Sequence, residues 1–390
     1  MRKTLIACAL ALTACAAKAP LSLEVARSEM ARNPEASYID GQEGKLKWNY
    51  TTGLELKAIL DVYCHSGRSE DSLLNYVDAW YDAIINEEGE IYKYKKSNYS
   101  SDHVCPARTL FGLYDLTGKE KYRLAMDRIY DQVKDMPRTY DGGFWHKQVY
   151  PGQMWLDGLY MLEPFYAEYT TRYVADSLQR EKNFGDIVLQ FTTVYNHTFD
   201  PVTGLLRHAW DSTREMFWAN PETGQSDHAW GRAMGWYAMA LADVIEMIPD
   251  GAYKDTLIGI LKNLYQVLPV YSDPGTGMWY QVLDSPHREG NYLEATCSAM
   301  FVYTWLKGCR LGVLGNREEA VKAYESLLST FVRTDGDGLV NLDSCCEVAG
   351  LGGKDNRRGD YAYYISEPVR SNDPKGIGPL IWAALEYESL

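Results

Sequence analysis

Apolar side chains recur every three to four residues over most of the chain, with polar side chains between them, which is the pattern of amphipathic α-helices. The pattern predicts about twelve helices, near residues 23–33, 54–66, 71–85, 105–117, 120–136, 158–173, 178–198, 230–248, 252–270, 294–311, 317–332 and 378–390. Three pairs of neighbouring helices are separated only by short glycine-containing turns, "HSGRSEDS", "LTGKEKY" and "VLGNREEA". A glycine after one helix and polar residues at the start of the next favour antiparallel helical hairpins.

The other connections between predicted helices are longer, and each contains a glycine followed by alternating apolar residues. Two of them match closely, "DPVTGLLRHAWD" at 200–211 and "DPGTGMWYQVLD" at 273–284. They share the pattern D-P-x-T-G and a second aspartate at the same offset. This internal repeat indicates one hairpin unit used several times, with short turns at one end and long loops at the other.

About six such hairpins form either an open solenoid or a closed ring. The last unit of a solenoid is expected to be a polar cap, whereas the final segment, "GIGPLIWAALEYESL", is largely apolar. We therefore predict an all-α fold, an (α/α)6 barrel of six hairpins closed in a ring, in one domain over residues 36–390. Short β-like loops would crowd one rim, where loops on a rigid scaffold usually carry function.

The N-terminus, "MRKTLIACALALTACAAKAP", has two basic residues, a short apolar stretch and small residues, which is typical of an export signal. Its end, "LTAC", resembles a bacterial lipobox and predicts a lipoprotein signal over 1–14, lipidation of Cys15, and a tether with the first helix over 15–35. A simple cleaved signal is the alternative. We expect an exported, lipid-anchored protein of the cell envelope, on the periplasmic face because "AAKAP" lacks an acidic cluster.

The composition of the chain limits which kinds of molecule it is expected to bind. The formal net charge is −14, and it becomes −16 once Arg2 and Lys3 are lost with the signal, which argues against nucleic acid. No motif for a metal or an organic cofactor appears, and the cysteines lack CxxC spacing. Beyond the signal, no segment has the apolar run of a membrane-spanning helix, so a membrane contact would come only through the lipid. The oligomeric state and any disulfide pairing are left open.

The long loops and adjoining helix starts concentrate polar and aromatic residues. They hold Trp48, Asp102, His103, His146, Lys147, Trp155, Asp157, His208, Trp210, Asp211, Arg214, Trp230, Arg232 and Trp236. Each taken alone has a structural explanation. Asp102 could be a helix N-cap, Arg232 could pair with a buried acid, and Trp230 and Trp236 could belong to the core. The contribution of every long loop is what favours a common site.

Asp157 lies in the apolar run "QMWLDGLYML". A carboxylate among apolar neighbours loses hydration, which is expected to raise its pKa toward the range of a general acid. The alternative is that Asp157 caps the helix that follows it.

Five motifs together resemble glycoside hydrolase family 105, the unsaturated rhamnogalacturonyl hydrolases. They are "FWHKQVYPGQMWLDGLYM", "RHAWD", "WGRAMGWYAMAL", "YLEATCSAMF" and "KGIGPLIWAALE". Similar motifs run from about Trp48 to the C-terminus. The resemblance implies an (α/α)6 barrel that removes a 4,5-unsaturated uronic acid from the non-reducing end of polysaccharide-lyase products, by adding water across the double bond and without a cofactor.

The resemblance also implies roles for individual residues. Asp157 matches the general acid/base, Asp102 a second aspartate, and His208 the active-site histidine. The expected substrate contacts are Trp48, His103, His146, Lys147, Trp155, Trp210, Arg214, Trp230, Arg232 and Trp236, with the cations binding the anionic uronate and Trp155, Trp230 and Trp236 stacking on its ring.

The chain departs from the family pattern at Ala233 and Met234, where many members have Gly and Asn. The pocket wall beside Arg232 is therefore expected to differ in shape from that of those members. This wall bears on which sugar follows the unsaturated residue. Unsaturated rhamnogalacturonan oligosaccharides are the first expectation. The alternatives are an unsaturated glucuronyl hydrolase acting on glycosaminoglycan or sulfated-glycan products, a conventional (α/α)6 glycosidase using Asp102 and Asp157 as its carboxylate pair, and a non-catalytic glycan-binding lipoprotein.

Overall fold

The computed structural model describes residues 19–390, so the predicted signal over 1–14 and the lipidation of Cys15 lie outside the described residues. The helices are α1 (Leu21–Arg32), α2 (Tyr50–His65), α3 (Asp71–Ile84), α4 (Arg108–Thr117), α5 (Glu120–Lys134), α6 (Leu156–Tyr173), α7 (Ser177–Thr198), α8 (Gly231–Met247), α9 (Ala252–Val267), α10 (Ala295–Arg310), α11 (Arg317–Phe331), α12 (Tyr361–Ser366) and α13 (Pro374–Glu388). All twelve predicted helices are present. The sequence analysis missed α12, because six residues are too few to show a helical period.

The helices form two rings. The inner ring consists of α2, α4, α6, α8, α10 and α13, and the outer ring of α1, α3, α5, α7, α9 and α11. Extensive packing joins α6 to α8, α8 to α10, α10 to α13, and α13 back to α2. The predicted (α/α)6 barrel is therefore confirmed, and the contact of the last inner helix with the first closes it.

Burial explains which helices are inner. Every residue from Gly231 to Ile245 of α8 is buried, as is every residue from Pro374 to Glu386 of α13. A helix that is apolar on all sides must have neighbours on all sides, whereas the outer helices keep one polar face toward water. The apolar C-terminal segment thus lies in the ring, as its composition predicted.

The inner helices run in the same direction. A cavity of about 540 Å³ at one end of the barrel is lined by residues from the C-terminal halves of α2, α6, α8, α10 and α13. The N-termini of these helices, and the long loops that precede them, consequently meet at the opposite rim.

Short antiparallel strand pairs join the loops at that rim and in the C-terminal part of the chain. They are β1 (Gln153–Trp155) with β2 (Ala209–Asp211), β3 (Val332–Thr334) with β4 (Val340–Leu342), and β5 (Cys345–Cys346) with β6 (Val369–Arg370). In the first pair, Trp155 lies opposite Ala209 and Met154 opposite Trp210. This pair ties the loop before α6 to the loop before α8.

The D-P-x-T-G repeat has the same geometry in both copies. Asp200 accepts hydrogen bonds from the Val202 N–H at 3.1 Å and the Thr203 hydroxyl at 2.7 Å. Asp273 accepts from the equivalent Gly275 N–H at 3.1 Å and the Thr276 hydroxyl at 2.9 Å. The repeated sequence is therefore a repeated turn that starts a long loop.

The six cysteines of the described region are all free thiols. None of the helices between residues 19 and 390 is long and apolar enough to cross a membrane.

Two buried carboxyl groups meet where α1 packs on α2. Burial raises the pKa of Glu29 to about 7, even though Arg32 pairs with it. The pKa of Glu55 is also raised, first by burial and then by the charge of Glu29, and its Oε1 has no hydrogen-bond partner in the described structure. The folded chain holds protons here that the unfolded chain releases near pH 4.5.

We expect this pair to make stability fall with rising pH. Its contribution is fully present below about pH 4.5 and is lost as the pH rises through about 7, because the folded state must then bury charge. Glu55→Gln should flatten this dependence and raise the free energy of unfolding at pH 8.5 by about 1–3 kcal/mol. Urea unfolding at pH 5.5 and 8.5 measures the free energy of unfolding of both proteins. Glu88→Gln, which changes an exposed glutamate, is the control. Equal pH dependence in wild type and Glu55→Gln would contradict the assignment.

Candidate active site

The N-terminal ends of the inner helices surround the candidate site. The positive ends of their dipoles point toward this rim, which favours an anionic ligand. Asp157 is the second residue of α6, and Trp155 is the N-cap position. The alternative in which Asp157 caps the helix is therefore wrong, and its carboxylate has no capping bond to the helix in the structure described.

Asp157 lies beside His208. The carboxylate Oδ2 and the ring Nε2 are 3.1 Å apart, and the His208 side chain is fully buried. The backbone holds this arrangement, because the Leu156 N–H donates to the His208 carbonyl at 3.1 Å. The two facing atoms are close but not aligned for a hydrogen bond with each other, and neither has another partner in the described region. Both therefore keep unused hydrogen-bonding capacity in the described structure.

The expected direction of the Asp157 pKa shift is wrong. Burial raises the pKa of Asp157, but the positive charge of His208, supported by His146 and Arg232, outweighs burial and lowers it below its ordinary value. The apolar neighbours in sequence predict burial, which raises the pKa. Charged side chains that are distant in sequence lower the pKa, and the residues next to Asp157 gave no indication of them.

Tyr364 of α12 supports His208 from behind. Its hydroxyl lies 2.7 Å from His208 Nδ1, and burial raises its pKa well above the usual value, so the hydroxyl stays protonated. Trp230 also packs against the ring of His208, with ring centroids 4.8 Å apart. Sequence analysis missed Tyr364, since nothing in "DYAYYIS" distinguishes one tyrosine from the next.

Asp102 forms a second charged group with Lys147 and His146. Lys147 makes a short ion pair with Asp102, and His146 Nε2 lies 3.8 Å from the same carboxylate. Burial alone would raise the pKa of Asp102, but Lys147 and then His146 lower it. Burial, followed by the charge of Lys147, lowers the pKa of His146 to about 4, so its ring is neutral at ordinary pH.

Trp155 joins the two groups. Its ring stacks on His146 at 4.6 Å and meets His208 edge-on at 5.4 Å. Gly158, in the first turn of α6, allows the close approach, because a Cβ there would lie 3.1 Å from His146 Nδ1. Asp102, Lys147, His146, Trp155, Asp157 and His208 are therefore one cluster.

Arg232 contributes a buried positive charge. It donates to the Cys346 carbonyl and lies over the ring of Trp230 at 4.6 Å, and it has no ion pair among residues 19–390. The alternative in which it pairs with a buried acid is not what the structure shows. Tyr50, which sequence analysis also missed, lies in the fields of Asp102, Arg232 and Asp157. The three charged groups therefore all act on the same phenol.

Trp48 and His103 lie at the edge of the cluster. The Trp48 indole donates to the His103 carbonyl at 2.8 Å and stacks on Trp80 at 6.0 Å. Both line a cleft of about 250 Å³ together with Asp102. His103 Nδ1 is buried without a hydrogen-bond partner in the part of the chain described.

Three further candidates lie away from the carboxylates. Trp210 stacks on His197 at 3.6 Å, on the opposite face of β2 from Ala209, which lies against Trp155. Trp236 stacks on Tyr160 at 4.8 Å and is buried in the core. Arg214 is exposed in the loop after β2, with a left-handed φ of 61°. Neither Trp236 nor Trp210 offers an open ring face to a sugar.

No group of three or more histidine, cysteine, aspartate or glutamate side chains in the region 19–390 is arranged to hold a metal ion. The site is thus built from paired charges and aromatic rings.

The family model for Glycosyl Hydrolase Family 88 matches residues 21–390. The structure of a family 105 glycoside hydrolase from C. acetobutylicum ATCC 824 is 44% identical in sequence and has a TM-score of 0.89, covering 95% of this chain and 100% of that one. The chain therefore belongs to the glycoside hydrolases of families 88 and 105, and the resemblance found in its motifs is confirmed.

Two other similar proteins show the range of this group. The unsaturated rhamnogalacturonyl hydrolase YesR of Bacillus subtilis (strain 168) is 26% identical over 267 residues, covering 65% of this chain and 68% of that protein. The unsaturated glucuronyl hydrolase of Bacillus sp. GL1, responsible for the degradation of glycosaminoglycan, is 13% identical with a TM-score of 0.65, covering 94% of this chain and 95% of that one. The second likeness shows the fold alone.

The contact between Tyr364 and His208 predicts a single ring tautomer. When the His208 ring is neutral, the Tyr364 hydroxyl should donate to Nδ1 and leave the proton on Nε2, facing the carboxylate. In NMR spectra of protein labelled with ¹⁵N-histidine, His208 of the wild type should show the tautomer protonated on Nε2. In Tyr364→Phe it should show a mixture of the two tautomers. Tyr361→Phe, whose hydroxyl bonds to the Arg288 and Glu289 carbonyls, is the control. An unchanged His208 spectrum in Tyr364→Phe would refute the positioning role.

Proposed function

We propose that this enzyme removes the 4,5-unsaturated uronic acid from the non-reducing end of oligosaccharides that a lyase releases from rhamnogalacturonan. The observation that carries the proposal is the buried Asp157–His208 pair, with a 3.1 Å separation and free hydrogen-bonding capacity toward a ligand. The name of the Bacillus subtilis relative supports the choice of rhamnogalacturonan.

The proposed reaction adds one water molecule to the double bond. The Asp157–His208 pair shares a proton and delivers it to C4, while a water molecule bonds to C5 and loses a proton to the same pair. The resulting hemiketal at C5 opens to a ketone. Opening leaves C1 as a hemiacetal, and the collapse of this hemiacetal to an aldehyde breaks the glycosidic C1–O bond and releases the remaining sugar as an alcohol.

Substrate binding would itself prepare the acid. The pKa of Asp157 is low in the free site because cationic neighbours dominate. The carboxylate of a bound uronate brings a negative charge next to them, and a like charge raises the pKa of Asp157 toward the protonated form that donates. The lowered pKa of the free site is therefore compatible with acid catalysis in the complex.

The other charged residues fit substrate binding. The buried Arg232 guanidinium has no carboxylate of its own in the described chain and would bind the uronate carboxylate. Lys147 keeps Asp102 ionised, so Asp102 would orient the sugar hydroxyls or the water rather than donate a proton. Trp155, held between His146 and His208, would form the apolar wall of the subsite.

An unsaturated glucuronyl hydrolase acting on glycosaminoglycan or sulfated-glycan products is the second candidate, because such an enzyme shares the fold. A conventional glycosidase is less suited to this site. Acting on a neutral glycan, it needs one protonated and one ionised carboxyl group, whereas both Asp102 and Asp157 have lowered pKa values and a neutral glycan brings no negative charge that would raise either. Simple glycan binding does not require a buried aspartate and histidine facing each other.

The test is the ultraviolet absorbance of the double bond. Wild type should remove the signal from lyase-generated rhamnogalacturonan oligosaccharides, and Asp157→Asn should slow its loss by about 10²- to 10⁴-fold, because the proton donor is gone. Asp250→Asn, a substitution of an exposed aspartate in the turn between α8 and α9, is the control. Unsaturated glycosaminoglycan products, tested in parallel, identify the substrate class. No signal loss with any unsaturated oligosaccharide would refute the proposed function.

We further propose that the enzyme is exported and anchored by a lipid on Cys15, facing the periplasm. The lipobox-like "LTAC" supports this proposal. Wild type should sediment with membranes and resist protease added to intact cells, and Cys15→Ala should move to a soluble fraction or keep an uncleaved signal. Wild type in the soluble fraction would contradict the anchor, and removal by protease would contradict the periplasmic face.

A further inference from the structure

Arg357, at the same rim, keeps an uncompensated positive charge. Its Nε donates to the Gly352 carbonyl at 3.0 Å, and its Nη2 donates to the Tyr150 hydroxyl at 3.1 Å and the Leu351 carbonyl at 3.4 Å. All of these partners are neutral. The guanidinium is half-buried, has no ion pair within residues 19–390, and has no hydrogen bond from Nη1 there. Two N–H groups are therefore held in place without an acceptor.

The loop around Arg357 is shaped to hold this side chain. Gly352 and Gly353 have left-handed φ values of 61° and 75°, and Gly352 pairs with Arg357 in an antiparallel bridge. A Cβ at position 350 would lie 2.5 Å from Nη1. The loop "GLGGKDNRRG" thus leaves room for the guanidinium where any larger residue would displace it.

Tyr150 connects Arg357 to the active site. Its ring stacks on Trp155 at 4.9 Å, and Trp155 stacks on His146 beside Asp102. Lys147 Nζ lies 5.9 Å from the centre of the Tyr150 ring. A row of stacked rings therefore leads from the charged cluster outward, and Arg357 lies at its outer end.

Three exposed cations lie in the same two loops. Lys354 and Arg358 flank Arg357, and Arg214 belongs to the loop after β2. That loop packs against this one, because a Cβ at Gly352 would lie 3.2 Å from Met216 Cε. None of the three has an ion pair in the region the structure describes, and the exposed acids of these loops are Glu215, Glu222, Asp227 and Asp355. We call Arg214, Lys354, Arg357 and Arg358 the rim cation patch.

We propose that the rim cation patch, centred on Arg357 and Tyr150, binds an acidic group on the leaving part of the substrate, beyond the unsaturated uronate. The group is a carboxylate or a sulfate on a following sugar, since the two unused N–H groups of Arg357 Nη1 can make charge-assisted hydrogen bonds to an oxygen of either anion. In a chain of formal net charge −14, a group of cations without ion pairs also attracts an anionic substrate to this rim. The inference rests on the proposed function and extends it to the substrate's charge pattern.

Kinetics on two substrates test the patch. One is an unsaturated disaccharide whose second sugar is neutral, and the other is a longer product with a second uronate. Arg357→Gln should raise KM about tenfold for the longer product and leave kcat unchanged, because one charge-assisted contact is lost. The disaccharide should be unaffected. Arg333→Gln, which removes an exposed cation paired with Asp343, is the control.

Equal losses on both substrates would indicate a structural role and overturn the proposal, as would no change on either. Gly350→Ala gives an independent test, since it should move the guanidinium and reproduce the selective rise in KM. A sulfated unsaturated product, used in the same way, decides between carboxylate and sulfate.

Binding measurements keep this test separate from the proposed reaction. If wild type consumes no unsaturated oligosaccharide, calorimetry with saturated galacturonate oligomers and with a sulfated glycan still tests the patch. Wild type should bind one of them more weakly as salt rises, and Arg357→Gln should weaken binding about tenfold. An absence of binding to both acidic glycans would overturn the inference.

Discussion

The contact of α13 with α2 is the constraint on which the rest of the structure depends. Apolar helices that are buried on every side have to be enclosed, and the chain achieves this by closing its last inner helix onto its first. Because each hairpin repeats the same direction, closure brings the N-termini of the inner helices to one rim. The active-site side chains come from loops that are distant in sequence and meet only because the ring is closed.

At that rim, a protein of strongly negative net charge presents local positive charge. Helix N-termini, Lys147, Arg232 and His208 surround two aspartates, and the aspartates are held ionised in the free site. At the far end of the barrel, buried charges are instead paired with one another, as Arg108 and Lys307 are with Asp243 at 2.7 and 2.8 Å. The difference in pairing separates a site that can accept a charged ligand from a network that is already neutralised.

The aromatic residues likewise fall into two groups, those that shape the site and those that pack against other rings away from it. Trp155 lies between His146 and His208, where it shapes the site, whereas Trp236 and Trp210 stack on Tyr160 and His197. Trp230 lies between Arg232 and His208 and supports both. A high aromatic content therefore supplies the walls and supports of the site more than open stacking platforms.

The sequence by itself determined the helices, their hairpin order and the loops that hold the site, because these depend on hydrophobic period, glycine turns and a repeated motif. The apolar last segment favoured the closed ring, and the contact of α13 with α2 decided it. The sequence also placed Asp102, Lys147, Asp157 and His208 in one group, through the family resemblance. Tertiary structure alone decided the direction of the Asp157 pKa shift, since the cations that oppose the effect of burial come from other loops. It likewise assigned Tyr364 to His208 and Arg357 to Tyr150, contacts between residues more than 150 positions apart, for which no local pattern exists.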